Sequence, residues 1–183
     1  MSAPTKQFKL EEARRVAEKV VEALTPFCQR IEIAGSIRRG RPFVGDIDIV
    51  LLPKDAFDRD RIEQRAAQNA ARLKGGEQYV VYGMKNGMQL DLWFAHIAWP
   101  PEAGMFGDTI KPAEPANFGM LWLARTGSAM HNVHLAKVAK ARGFHFDPHA
   151  GLKQAGKVIA SEEEADVFKA LGLAYVEPER REV

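Results

Sequence analysis

The sequence predicts an α+β fold: a mixed or antiparallel sheet carrying three aspartates, flanked by helices, and then a small C-terminal α/β subdomain. Three observations lead there. Residues 31–52, IEIAGSIRRGRPFVGDIDIVLL, set two β-branched apolar runs on either side of a glycine-rich basic turn. Residues 78–82 and 88–96 are two more extended runs, joined by Lys85-Asn86-Gly87, and Asn-Gly is a strong hairpin signal. Between and after these runs, apolar residues recur at helical spacing.

Composition bounds the problem. A chain of 183 residues makes one domain, or one domain with a small appended subdomain. Its 46% hydrophobic content suffices for a core, and its net charge of +2 is too near zero to indicate a polyanionic partner by itself. Cys28 is the single cysteine, which excludes an internal disulfide and leads us to expect a reducing, cytoplasmic location. No apolar run approaches the roughly 20 residues of a membrane span, so no membrane partner is expected. Residues 1–15 carry charges where a signal peptide needs an apolar stretch.

Taken in order, residues 8–24 place Leu10, Ala13, Val16, Ala17, Val20, Val21 and Leu24 on one helical face, and Thr25-Pro26 ends the helix. Residues 31–34 form a strand, the basic turn follows, and a second strand runs from Asp46 to Pro53-Lys54. Residues 58–73 read as an amphipathic helix stopped by Gly75-Gly76, followed by the hairpin. The Pro- and Gly-rich residues 99–115 read as a loop, with Asp108 and Glu114 as surface charges. That loop divides the chain into domains 1–115 and 116–183. Residues 117–125 and 131–142 are expected as helices, with Gly143 ending the second. Lys137, Lys140, Arg142, Lys153 and Lys157 cluster, with Asp147 opposing them. Residues 162–171 form a last helix, with Ser161 and Glu164 as a capping box, and residues 175–183 a polar tail.

The chemistry concentrates in the second strand. Asp46 and Asp48 alternate with Ile47 and Ile49, so both carboxylates share one face about 7 Å apart. Such a pair is costly unless a cation sits between the two groups. Asp91, between Leu90 and Leu92, is expensive in an apolar strand unless paired or bound to metal, and it is placed to join the first two. In the turn, Gly35 permits a tight backbone, Ser36 offers a donor, and Arg38, Arg39 and Arg41 offer guanidinium forks for phosphate. Carboxylates beside anion donors suit a nucleoside triphosphate bound as its Mg2+ complex. His131 and His134 lie i, i+3 without a third ligand at matching spacing, and are expected as surface or DNA-contacting side chains. His145 and His149 are expected in loops. Trp93, Trp99 and Trp122 are expected in the core or at its rim.

Gly-Ser, a spacer of nine residues and Asp-x-Asp resemble the nucleotidyltransferase signature. The longer GSIRRGRPFVGDIDIVL is similar to the palm of family X DNA polymerases, the group of DNA polymerase beta and terminal transferase. GMQLDL at 87–92 resembles the segment holding that family's third catalytic aspartate. NFG at 117–119, TGSAMHNVHLAKVAKARGF at 126–144 and SEEEADVFKALGLAYVEPERRE at 161–182 resemble its thumb and C-terminal segments. The blocks stand in the family's order and cover essentially the whole chain. The resemblance implies a minimal palm-plus-thumb form without lyase domain or fingers. Where the family places a Tyr-Phe pair before Thr-Gly-Ser, this chain has Ala124-Arg125, and Ala136 stands at a minor-groove-reading position.

The resemblance implies a DNA polymerase that adds nucleotides to a DNA 3′-hydroxyl, in short-gap repair. Asp46, Asp48 and Asp91 would be catalytic and hold two Mg2+ ions, with Mn2+ able to substitute. Gly35, Ser36, Arg39 and Gly45 would bind the phosphates, with Arg38 facing solvent or joining them. Gly127 and Asn132 would bind the sugar and base edge, and Lys137, Lys140 and Arg142 would bind DNA. Nucleoside triphosphate and a primer end or gapped DNA are the expected partners of a monomer. Two rivals remain: a template-independent or non-DNA nucleotidyltransferase acting on an RNA end, protein or small molecule, and a catalytically dead nucleic-acid-binding module.

Overall fold

In the computed structural model, which describes residues 6–98, 102–103, 109–111 and 114–182, the chain enters as a two-residue strand, β1 (Phe8–Lys9). It turns at once into helix α1 (Leu10–Leu24), which buries Ala13, Ala17 and Leu24. Phe8 and Lys9 were expected inside that helix. Phe8 instead pairs with Val44 and is buried by that pairing. A 3-10 turn at Thr25–Phe27 leads into β2 (Cys28–Ile33), longer than the expected 31–34. The basic turn holds a single helical turn, α2 (Gly35–Arg38), and the short β3 (Phe43–Val44). The aspartate strand is β4 (Asp46–Pro53).

The next segment departs from expectation. Helix α3 covers Ala56–Ala67, capped by the Asp55 side chain accepting from the Asp58 N–H at 2.7 Å. Residues 70–73, expected as its last turn, instead belong to β5 (Ala70–Gly75). The helical pattern there rests on alanines, and Ile62 is the one apolar side chain of α3 that is fully buried. The open edge of β6 (Tyr79–Met84) supplies hydrogen bonds that a poorly anchored helix end lacks, and β5 pairs antiparallel with it.

After β6 the turn at Lys85–Gly87 leads to β7 (Gln89–Phe94). The five strands order β2-β4-β7-β6-β5; β4 and β7 run parallel and the other pairs antiparallel, so the sheet is mixed. Much of the loop expected at 99–115, with Trp99 and Asp108, lies outside the described residues. Within it β8 (Glu102–Ala103) and β9 (Thr109–Lys111) pair antiparallel.

Helices α4 (Phe118–Thr126) and α5 (Ala129–Ala141) follow, the latter capped by the Ser128 hydroxyl accepting from the His131 N–H. Residues 145–160, which the sequence reading left without strands, form an antiparallel sheet of β10 (His145–Asp147), β11 (Gly151–Gln154) and β12 (Lys157–Ala160). Ala155 and Gly156 turn tightly between the last two, both at positive φ. His145 therefore opens a strand, while His149 stays in a turn. The last helix is α6 (Glu164–Ala170).

The expected capping box does not form. Ser161 donates to the Ala116 carbonyl at 2.6 Å, and Glu164 is drawn away to Arg38 and Arg181. The expected polar tail is not one either: Arg181 is fully buried, beyond a 3-10 turn at Pro178–Arg180. His131, expected at the surface, is 5% exposed and lies against Phe168.

Apolar packing divides into three clusters. One joins α1, α3 and one face of the sheet, including Ile47, Ile49, Leu90 and Leu92. Another joins α4, α5, α6 and the small sheet through Met120, Leu123, Leu135, Leu152 and Phe168. A third, with Ala34, Val50, Ala95, Phe118 and Leu121, packs α4 onto the large sheet.

Candidate active site

The alternation that buries Ile47 and Ile49 turns Asp46 and Asp48 to the other face of β4. The parallel register sets Asp48 beside Asp91 and Asp46 beside Gln89. Adjacent strands lie about 4.8 Å apart, so Asp48 and Asp91 are lateral neighbours with Asp46 two residues along. Gln89 donates to Asp91 at 2.9 Å, and the Trp93 indole N–H donates to Asp48 Oδ1 at 3.1 Å. The other Asp48 oxygen faces Gly35, where a Cβ would stand 2.2 Å from it. Gly35 also has φ +60°, so the chain needs glycine here for both backbone and space.

All three carboxyls hold protons more tightly than a free aspartate. Burial raises Asp48 to about 7, helped by Asp46 and Asp91 and opposed by the Trp93 hydrogen bond and Arg125. Burial also raises Asp46 and Asp91. Arg39 works against the shift at Asp46, and the Gln89 hydrogen bond does so at Asp91. Burial is the main cause, and at Asp48 and Asp91 neighbouring carboxylates add to it, a combination that a cation would relieve. The side chains are not arranged as a ready-made cage: among the described residues no three His, Cys, Asp or Glu groups stand together in metal-binding geometry. Asp48 is spent on Trp93 instead.

Trp93, expected in the core or at its rim, stands at the carboxylates instead, and Arg125 joins it. Trp93 stacks on Tyr79 at 4.9 Å, and the Arg125 guanidinium lies 3.7 Å over its ring. Arg125 also approaches His149 Nε2 at 3.1 Å, while its own Nε is buried without a partner among the described residues. Trp93 was readable, since a residue two beyond Asp91 shares its face. No local pattern brings Arg125 there; only the resemblance, which sets Ala124-Arg125 where the family has its Tyr-Phe pair, points to it.

In the Gly35–Arg41 turn, Ser36 Oγ is buried and unpartnered among the described residues. Arg39 is held by the Thr126 carbonyl and by Glu182, and lies against Gly127, where a Cβ would stand 3.2 Å from it. Gly45 sits between β3 and β4, next to Asp46. Arg38 does not face solvent: it pairs with Glu164 at 2.7 Å, bonds Thr126, and stacks 3.4 Å over Trp122. Asn132 donates to the Ala124 carbonyl and leaves its own Oδ1 buried and unpartnered among the described residues. Lys137 and Lys140 are exposed on α5, while Arg142, also exposed, caps that helix and packs toward Gly172. Lys153 of the basic cluster is tied to Asp147 at 2.7 Å.

Two comparisons bear on this arrangement. Residues 121–182 match the family model described as DNA polymerase beta thumb. DNA polymerase lambda of Rattus norvegicus is 29% identical over 161 residues, a match covering 81% of this chain. Both findings support a resemblance to family X DNA polymerases. The chain spans 28% of the length of that relative. The family X thumb match begins inside α4, the helix that packs on both the large sheet and the small one. No helix among the described residues is long and apolar enough to cross a membrane.

Proposed function

We propose that this chain is a nucleotidyltransferase that extends a DNA 3′-hydroxyl with a nucleoside triphosphate, as a monomer working on short gaps. The carrying observation is the register that makes Asp48 and Asp91 neighbours, with Asp46 two residues along and the Gly35–Arg41 turn beside them. The match to DNA polymerase lambda supports a DNA acceptor.

Asp46, Asp48 and Asp91 would hold two Mg2+ ions, or Mn2+ in their place. Such ions lower the pKa of the attacking hydroxyl and neutralise charge on the phosphates. Asp91 accepts the proton of the 3′-hydroxyl. The 3′-oxygen bonds to the α-phosphorus, the bond from that phosphorus to the β-phosphate oxygen breaks, and pyrophosphate leaves. Ser36, Arg39 and the backbone at Gly45 hold the β- and γ-phosphates in line with the attack. Gly127 leaves room for the sugar, and Asn132 offers its free carbonyl oxygen to the base edge. Lys137, Lys140 and Arg142 track the DNA backbone, and salt weakens their contribution. A DNA substrate and one buried thiol, Cys28, fit an intracellular, reducing setting.

The test offers labelled dNTPs and NTPs, with Mg2+ or Mn2+, to a one-nucleotide gap, a primer-template and a single strand. Wild type should extend the gapped DNA and Asp48→Ala should not. Equal incorporation by both proteins would sink the carboxylate assignment. A second reading, transfer without template or to another acceptor, is favoured by Arg125 standing over Trp93 where the family has an aromatic pair. Incorporation indifferent to template, or absent on all DNA, would select it.

A further inference from the structure

Glu182 occupies the anion position of the Gly35–Arg41 turn. Its Oε1 lies 2.5 Å from Arg39 Nε, and its Oε2 lies 3.5 Å from Arg41 Nη1. One carboxylate thus bridges two guanidinium groups, the geometry in which such groups take a phosphate. Arg39 is well shielded, with 15% of its side chain exposed, whereas Arg41 and Glu182 are 49% and 33% exposed and can part. The tail bearing Glu182 approaches from Arg181, which is fully buried and bonded to Glu164 and the Val176 carbonyl. The carboxylate is therefore delivered by a fixed anchor one residue away. The turn folds back on itself, with the Arg41 N–H donating to the Ser36 carbonyl, which keeps the unpartnered Ser36 hydroxyl in the same loop.

We infer that Glu182 is an intramolecular stand-in for phosphate, and that a polyphosphate ligand must displace it to reach Ser36, Arg39 and Arg41. This rests on the phosphate role of the turn proposed above. A tethered carboxylate competes at an effective concentration in the millimolar range. A single phosphate gains too little to displace it. A chain of phosphoryl groups brings more charge and reaches both arginines and the serine together. Glu182 thereby sets which anions enter, and it protects a concentrated positive site while no nucleotide is bound.

The test measures binding of inorganic tripolyphosphate and of inorganic phosphate by calorimetry, with chelator present and no nucleic acid. Wild type, Glu182→Gln and Glu179→Gln are compared. Glu179 is an exposed glutamate near Gly40 that makes no ion pair with these arginines, so its variant controls for net charge. Glu182→Gln should bind tripolyphosphate about threefold to tenfold more tightly than wild type, as loss of one partly exposed charged competitor allows. Glu179→Gln should match wild type. A purely structural Glu182 would give weaker or unchanged binding in its variant. Equal affinity of wild type and Glu182→Gln overturns the stand-in while leaving the phosphate site intact. Binding by none of the three proteins overturns both. Nucleotide incorporation, assayed separately, reports on the transfer reaction alone.

Discussion

At Asp48 a buried carboxyl faces two other acids and one indole N–H. Its folded-state pKa of about 7 lies above the value of 3.8 for a free side chain, so folding takes up a proton between those values. Stability of the metal-free protein is then greatest below pH 3.8 with respect to this group, and falls as pH rises toward 7. Asp48→Asn removes the charge and keeps an oxygen for Trp93. It should stabilise the metal-free protein at pH 8 by on the order of 2 kcal/mol, less than the roughly 4 kcal/mol of the whole shift, and by less at pH 5. Urea unfolding in chelator at both pH values checks this; a destabilised variant at pH 8 would contradict it. Arg125 acts on the same cluster from above Trp93. Arg125→Ala should tighten Mn2+ binding, read from free Mn2+ by electron paramagnetic resonance, by roughly threefold to tenfold, since a competing positive charge is gone. The three aspartates were legible because strand alternation fixes the face of each. Trp93 obeyed the same count but looked like core, and Arg125 arrives through α4, a placement that no local pattern encodes.

Among elements, α6 shows how far a local motif can mislead. Ser161 and Glu164 have capping-box spacing, yet Glu164 forms ion pairs with Arg38 at 2.7 Å and Arg181 at 2.6 Å and accepts from Tyr175. Those partners are 126, 17 and 11 residues away, beyond any window that reads caps. The same blindness hid β5 and the small sheet, whose pairing partners decide their state more than propensity does. The buried cluster carries a pH dependence. Burial raises the carboxyl's proton affinity, but Arg38 and Arg181 outweigh it and hold Glu164 below its ordinary value. Its contribution is complete above about pH 4.5 and is lost as pH falls through the depressed folded value. His131 faces Arg181, His134 and Glu164, and is lowered by burial first to about 4. It stays neutral when folded while the unfolded chain protonates near 6.5, so its contribution to stability declines from pH 6.5 to pH 4 by close to one proton, about 1.4 kcal/mol per pH unit, against the opposite contribution of Asp48 over the same range. Urea melts of wild type and His131→Gln across that range should differ by this slope, with the variant gaining stability relative to wild type as pH falls. Glu164→Gln should cost about 3–5 kcal/mol at pH 7, because two shielded guanidinium groups lose their shared anion.

On the scale of the whole molecule, α4 joins what the sequence reading divided at 115/116. Met120 and Leu123 point into the cluster of the small sheet, while Phe118 and Leu121 pack with Ala34, Val50 and Ala95 on the large one. Trp122 donates to the Ile33 carbonyl at 3.0 Å and lies beneath Arg38, whose other contacts are Glu164 and Thr126. The strand-helix order made the two sets of elements legible, and the Pro- and Gly-rich stretch drew attention to a boundary. Sequence could not show that the helix after it serves both cores, since its apolar residues cover several faces without a clear stripe. Removing residues 6–113 would therefore strip α4 of Phe118 and Leu121 packing, take Arg38 from Glu164, and expose an apolar surface on the remainder. A fragment of residues 114–182 should lack a cooperative urea transition, while the full chain unfolds in one transition followed by both tryptophan fluorescence and far-ultraviolet circular dichroism. Phe118→Ala in the full chain should lower the midpoint in both signals together, with a cost of about 3–5 kcal/mol. A sharp native-like melt of the fragment, or two separated transitions in the full chain, would show that the small sheet stands without its seat on β4.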